Sequence, residues 1–249
     1  MWEQYSLRSF MRLFRFLLVI AFFSSCFYLQ SLERIAPQDQ ILILEDFITP
    51  KEAETLIGFY NRTKTDLVSH LDNQLPIPSI SNRLIQQILF NISNRVLELI
   101  EQSYPSSGKR YYLDHGGIYS RIKGNFCPYH ADNIRFECPI HGKDQSVLRL
   151  VCDGECPGSK FVPNHTPWRE YTALVYLNDN FKGGEILFED GPCNKLYQKV
   201  IPIKANMMIL APNGRNFYHE VFPIRQGTRY SIHLWYTSDS RHRFVFRNG

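Results

Sequence analysis

The chain has 249 residues, of which 44% are hydrophobic and 21% charged, with a net charge of +4. This balance suits one sizeable globular domain with a small appendage and excludes a disordered, collagenous or coiled-coil protein. Half of the net charge sits in the N-terminal tail, where Arg8, Arg12 and Arg15 oppose Glu3. No basic face remains to mark a nucleic-acid binder.

Phe16 to Leu29 is apolar except for Ser24, Ser25 and Cys26. Extended to Leu13–Leu32, with Arg15 and Gln30 snorkelling to the interfaces, the run is long enough to cross a hydrocarbon core of about 30 Å. Residues 1–32 therefore read as a cytoplasmic tail and signal-anchor helix. The arginines before the run keep it type II, with the body in the lumen of the endoplasmic reticulum or Golgi. A signal peptide cleaved near Ser24–Ser25 is the alternative and leads to the same compartment. Cys127, Cys138, Cys152, Cys156 and Cys193 all follow the run and suit disulfides in an oxidising lumen. Asn61, Asn91 and Asn164 head glycosylation triplets.

Residues 33–108 read as a stem and a helical support region. Ile41–Phe47 is a strand, Thr49 caps a helix with Pro50 in its first turn, and Ser81–Ser103 carries apolar residues at helical spacing. Residues 109–249 turn to short strands: Tyr171–Leu177, Glu185–Phe188, Val200–Ile203, Asn206–Leu210 and Thr228–Thr237. Gly and Pro punctuate them, as in a sandwich or barrel. Residues 134–168 form a Cys-rich insertion, placed as a lid over the site. Cys138, His141, Cys152 and Cys156 there also allow a zinc knuckle, less favoured in a lumen than disulfides.

The chemistry gathers on few side chains. On a strand, His130 and Asp132 face one side, and His219 follows as a third ligand candidate. Two histidines and one carboxylate leave open positions on a metal, the set used by non-haem Fe(II) oxygenases. Arg229 lies ten residues after His219 on Thr228–Thr237. Period-two alternation puts Arg229, Ser231, His233 and Trp235 on one face of that strand. A guanidinium buried there needs a carboxylate.

At these residues the chain resembles the 2-oxoglutarate- and Fe(II)-dependent dioxygenases of the prolyl hydroxylase type. The resemblance is carried by Tyr129-His-Ala-Asp-Asn133, Arg169–Asp179, Phe181-Lys-Gly-Gly-Glu185, His219 and Gly227-Thr-Arg-Tyr230. Its wording is most like the prolyl 3-hydroxylase (leprecan) branch. The resemblance implies a mainly β fold with flanking helices: a double-stranded β-helix (jelly-roll) barrel on N-terminal support helices. It implies His130, Asp132 and His219 as iron ligands and Arg229 as the holder of the far carboxylate of 2-oxoglutarate, with Thr172 beside it. Trp235 becomes a wall of the pocket. Where relatives place a co-substrate-binding tyrosine this chain has Arg121, and Tyr119 on the same strand face is the substitute.

The implied reaction hydroxylates an amino-acid side chain, proline first, in a collagen-like secretory polypeptide. It uses Fe(II), 2-oxoglutarate, dioxygen and L-ascorbate. Two rivals stand beside it. A zinc metallohydrolase would use the same triad with Glu220 as base, and an inactive binding module would keep only the fold.

Overall fold

A computed structural model describes residues 37–67, 73–104, 108–140, 142–145, 148, 157–192 and 197–246. The anchor at Leu13–Leu32 and three of the cysteines, Cys152, Cys156 and Cys193, lie outside those residues. Among the described residues no helix is long and apolar enough to cross a membrane.

A 3-10 turn at Pro37–Gln40 leads into β1 (Leu42–Leu44). Helix α1 (Pro50–Leu67) starts at a reciprocal cap. Thr49 N donates to Glu52 Oε2 (2.8 Å) and Glu52 N donates to Thr49 Oγ1 (3.2 Å), while Pro50 has no N–H to leave unpaired. Strand β2 (Gln74–Pro76) precedes α2 (Arg83–Ser103), which is capped by Asn82 Oδ1 accepting from Ile85 N (3.2 Å). The α2 stripe Ile85, Leu89, Ile92, Val96 and Ile100 is buried, at about 1.5–3 kcal/mol for each side chain removed from water.

The strands that follow are β3 (Tyr112–Ile122), β4 (Cys127–His130), β5 (Ile134–Glu137), β6 (Lys160–Pro163), β7 (Tyr171–Tyr176) and β8 (Lys182–Gly183). Then come β9 (Ile186–Glu189), β10 (Gln198–Ile201), β11 (Met208–Pro212), β12 (Tyr218–Val221), β13 (Ile224–Gln226) and β14 (Thr228–Thr237). The major sheet has the order β1-β11-β7-β14-β3-β2 and the minor sheet β10-β9-β12-β4. This is the expected jelly-roll.

Alternation decides which side each residue serves. Ala173 and Val175 of β7, Met208 and Leu210 of β11, and Ile232, Leu234 and Tyr236 of β14 pack outward against the helices. Leu174, Tyr176, Ile209 and Ala211 turn inward to meet Ile186, Phe188 and Val221 of the minor sheet. The inner face of the major sheet is left for chemistry. Strand β11 begins at Met208 rather than at Asn206, because Asn206 takes a left-handed φ of 63°. Its carbonyl there accepts from Phe47 N at 2.8 Å.

The boundary at 108/109 separates nothing in packing. Strands β1 and β2 are the outer strands of the major sheet, and Pro37–Gly249 is one compact unit. In the insertion, β5 pairs with β6. A small aromatic cluster of Tyr129, Phe136 and Tyr218 ties it to the minor sheet. Cys138 is engaged in a disulfide, so it is no zinc ligand, and its partner lies outside the described residues.

Glu52 also joins the two helices. Its Oε1 accepts from Arg95 Nη2 (3.0 Å), and Arg95 Nη1 donates to Phe47 O (3.1 Å). Glu52→Ala is expected to cost about 1–2 kcal/mol, most of it from the cap because the ion pair is partly exposed. A lower urea midpoint at unchanged slope is the readout.

Candidate functional site

Strands β4 and β12 pair antiparallel with His130 directly opposite His219, and the two ring centroids are 4.4 Å apart. Cross-strand partners share a face, so both imidazoles enter the barrel together. Each ring is fixed through Nδ1. His130 Nδ1 donates to Pro128 O at 2.7 Å and His219 Nδ1 to Phe217 O at 3.2 Å. A carbonyl only accepts, so Nδ1 carries a proton in both rings and Nε2 is the atom left to face a metal.

Asp132 arrives differently from the expectation. Strand β4 ends at His130, and Asp132 lies in the bend beyond it, so period-two alternation does not aim its side chain. Hydrogen bonds do. Thr166 Oγ1 donates to Asp132 O at 2.8 Å, and Thr172 Oγ1 lies 2.5 Å from Asp132 Oδ2 and 2.9 Å from Asn213 Oδ1. A hydroxyl has one proton. Given to the carboxylate, it leaves the Asn213 amide to turn its NH2 toward Thr172, and Asn213 Nδ2 otherwise has no partner. The Asp132 side chain is only 9% exposed and sits 3.6 Å from His130 Nε2.

One ligand atom from each of His130, Asp132 and His219 falls within 4.8 Å of the others. The 3.6 Å spacing is near the roughly 3 Å edge of an octahedron with bonds of about 2.1 Å. The charges are arranged for a cation. Burial alone would raise the Asp132 carboxyl, but His130 and His219 hold it well below the usual range. Burial, with His130 beside it, pushes His219 down to about 4. Burial also acts to lower His130, yet Asp132 and the Cys127 thiol outweigh it and raise that ring well above the usual imidazole range. A metal held here would take the place of the proton on His130 Nε2. Glu220 adjoins His219 on β12 and so takes the opposite face, which removes the base of a zinc hydrolase from the triad.

Arg229 is 2% exposed on the inner face of β14. Its Nη1 donates to Gly184 O at 3.0 Å, its guanidinium lies 5.6 Å from the Tyr176 ring centroid, and its Nε has no partner. Among the described residues no carboxylate pairs with it. The Lys182-Gly-Gly-Glu185 wording gains a physical meaning here. Gly184 holds φ 76° beside Arg229, and a Cβ on Gly183 (φ 80°) would stand 2.3 Å from Pro223 O. Only glycines let this turn present its carbonyl to the guanidinium.

Thr172 is not beside Arg229. It pairs with Trp235, six residues further along β14, or about 20 Å at roughly 3.3 Å per residue. It belongs to Asp132. Thr172→Val removes that hydrogen bond at constant shape. It is expected to weaken divalent-metal binding about 10- to 100-fold, read by calorimetry.

Tyr119 stacks on His233 (4.1 Å between centroids) and meets Trp235 edge-on at 6.5 Å. Trp235 is covered by Arg169, whose guanidinium lies 4.5 Å from its centroid and whose Nε donates to Asp114 Oδ2 at 2.8 Å. Both residues thus stand on the inner face. Asn61 and Asn91 are exposed on the helices, but Asn164 is not free for a glycan. Its Nδ2, the atom a glycan would take, donates to Ala131 O at 3.3 Å, and its Thr166 is the buried prop of Asp132. Cys127 keeps a free thiol, 3.8 Å from His130 Nδ1.

Residues 118–237 match the model of the 2OG-Fe(II) oxygenase superfamily. Prolyl 3-hydroxylase 2 of Rattus norvegicus is 26% identical over 169 residues, covering 65% of this chain and 22% of the relative. Prolyl 3-hydroxylase 3 of Mus musculus is 30% identical over 158 residues, covering 63% and 20%. The chain spans about a fifth of the length of these relatives. The viral collagen prolyl hydroxylase of Paramecium bursaria Chlorella virus-1, solved as a 2OG complex, shares the fold. Its TM-score is 0.52 at 17% identity, over 80% of this chain and 95% of that one. The matched segment contains the triad, the Gly184 turn and Arg229, and residues 118–237 are a 2OG-Fe(II) oxygenase domain.

Proposed function

We propose that this chain is an Fe(II)- and 2-oxoglutarate-dependent dioxygenase that hydroxylates an amino-acid side chain, proline first, in a secretory-pathway polypeptide. One observation carries the reading. A half-buried two-histidine, one-carboxylate cluster shares the barrel interior with a buried arginine that no carboxylate among the described residues neutralises. His130, Asp132 and His219 would hold Fe(II), and Arg229 the far carboxylate of 2-oxoglutarate. When bound, that pair supplies the oxidising power that turns C–H into C–OH, consuming dioxygen and releasing succinate and carbon dioxide, with L-ascorbate keeping the iron ferrous.

The chain's own residues do the positioning. Thr172 and Thr166 hold Asp132, the Nδ1–H bonds aim both imidazoles, and the Gly184 carbonyl orients Arg229. Tyr119, His233 and Trp235 form an aromatic wall suited to a pyrrolidine ring. Proline as target, in a collagen-like sequence, follows the names of the relatives.

The lumen is the proposed compartment and Leu13–Leu32 the proposed type II anchor. The Cys138 disulfide suits an oxidising space, and Asn61 and Asn91, both exposed, are the proposed glycan sites. Protease protection of the body in intact microsomes tests the orientation.

The activity is tested by incubating the full chain with iron, ascorbate and 2-oxoglutarate, with and without proline-containing collagen-like peptides. Peptide-dependent succinate with a 16 Da gain on proline is expected, that mass being about one oxygen atom. Succinate that no peptide stimulates, or a gain on lysine, overturns the proline assignment. No succinate at all overturns the enzyme.

A further inference from the structure

We infer that Arg121 and Arg229 form a two-arginine cradle for the far carboxylate of the co-substrate, with Arg121 setting the preference for a dicarboxylate. The inference rests on the proposed 2-oxoglutarate reading and adds to it a residue outside the expected set.

Arg121 on β3 lies directly opposite Arg229 on β14. In an antiparallel pair such residues share a face, with Cβ atoms about 4.5–5.5 Å apart, and like charges placed so repel. The shared face is the inner one. Tyr119, two residues before Arg121, stacks on His233 of β14. A protein that places two guanidiniums in register would ordinarily separate them with an acid. Here the described residues provide none. The Arg121 guanidinium lies over the Tyr119 ring, 6.0 Å from its centroid, and forms no ion pair among the described residues. Arg229 has the Gly184 carbonyl and the Tyr176 ring, with Nε left over.

The field of the pocket agrees. Burial is the main influence lowering Arg229, and the Arg121 charge adds to it. Both arginine charges also act on His233 of the same inner face. The interior therefore has a cationic end, made by Arg121 and Arg229, and a metal-ligating end. A ligand with a carboxylate at each end offers an anion to each. A tyrosine at position 121 would offer that carboxylate one neutral hydrogen bond, whereas arginine offers charge and a forked donor pair. Binding the anion also relieves the repulsion between the arginines.

The test uses the full chain loaded with Mn(II), which binds without turnover, and calorimetry of two ligands. 2-Oxoglutarate carries the far carboxylate; 2-oxobutyrate has the same 2-oxo acid end without it. Arg121→Gln is expected to weaken 2-oxoglutarate binding about tenfold or more, the scale of one charge-assisted hydrogen bond, while 2-oxobutyrate changes by less than about twofold. Arg121→Lys should fall between. The ligand-free variant should melt at the wild-type temperature or above, since a repulsion is gone. Unchanged 2-oxoglutarate binding in Arg121→Gln overturns the cradle and leaves the function reading intact. Equal loss of both ligands with a lower melting temperature makes Arg121 structural and also overturns it. A wild-type chain that binds neither ligand overturns the co-substrate reading and the cradle with it.

Discussion

Asp132→Ala is expected to abolish turnover and to weaken divalent-metal binding by more than about 100-fold, beyond the loss from any residue that merely supports a ligand. Asp132 is the only carboxylate of the cluster. Without it two imidazoles remain, and two neutral donors neither fix a facial site nor offset a dication's charge. The substitution also strips the His130 ring of the anion that raises it, and leaves the Thr172 hydroxyl without its acceptor. Two controls separate chemistry from folding. Asp132→Asn keeps the shape and the hydrogen bond from Thr172 but not the charge, so it should fold as wild type and still lose most metal affinity. Thr172→Val should retain measurable turnover with weakened metal. Wild-type affinity in Asp132→Ala would move the metal centre away from this cluster.

Local rules reached much of this fold because the decisive signals are short-range. The Ser81–Ser103 periodicity became α2 with its start moved two residues, since Asn82, not an earlier residue, supplies the cap. Thr228–Thr237 became β14 over the same residues, and its alternation put Arg229, Ser231, His233 and Trp235 inward and Ile232, Leu234 and Tyr236 against the helices. The triad was legible as residue types, but its cause was not. His219 sits on β12 opposite His130, a pairing between residues 89 positions apart that only the sheet reveals. Alternation makes Asp132 a strand residue, whereas Thr166 and Thr172 hold it from 34 and 40 residues away. The resemblance puts Thr172 beside Arg229, and the β7–β14 register moves it to the other end of the strand. Arg121 departs from the relatives, with nothing in the sequence to say that it stands opposite Arg229. Long-range register is the common element in these cases. It depends on which strands pair, and alternation within one strand does not carry it.

Arg229→Ala should fail in a different way from Asp132→Ala. The metal cluster is untouched, so iron should bind as in wild type. What disappears is the buried cation that awaits a carboxylate. Losing one partner of a desolvated, charge-assisted pair costs on the order of 2–5 kcal/mol, so the apparent 2-oxoglutarate constant should rise by at least roughly thirtyfold. Saturating co-substrate should then restore part of the rate, which no concentration can do for Asp132→Ala. Stability should change little in the ligand-free state. The variant forfeits the hydrogen bond to Gly184 O and the contact with Tyr176, and leaves a void, but it also removes a buried charge that has no counter-ion among the described residues. Arg229→Lys tests geometry separately from charge: a lysine reaches the pocket with one ammonium in place of a fork, so it should recover only part of the affinity. Succinate release measured against 2-oxoglutarate concentration in wild type and in the Arg229→Ala, Arg229→Lys and Asp132→Ala variants decides it. If Arg229→Ala responds to the co-substrate as wild type does, Arg229 is a prop for the Gly184 turn, and the carboxylate must bind elsewhere in the barrel.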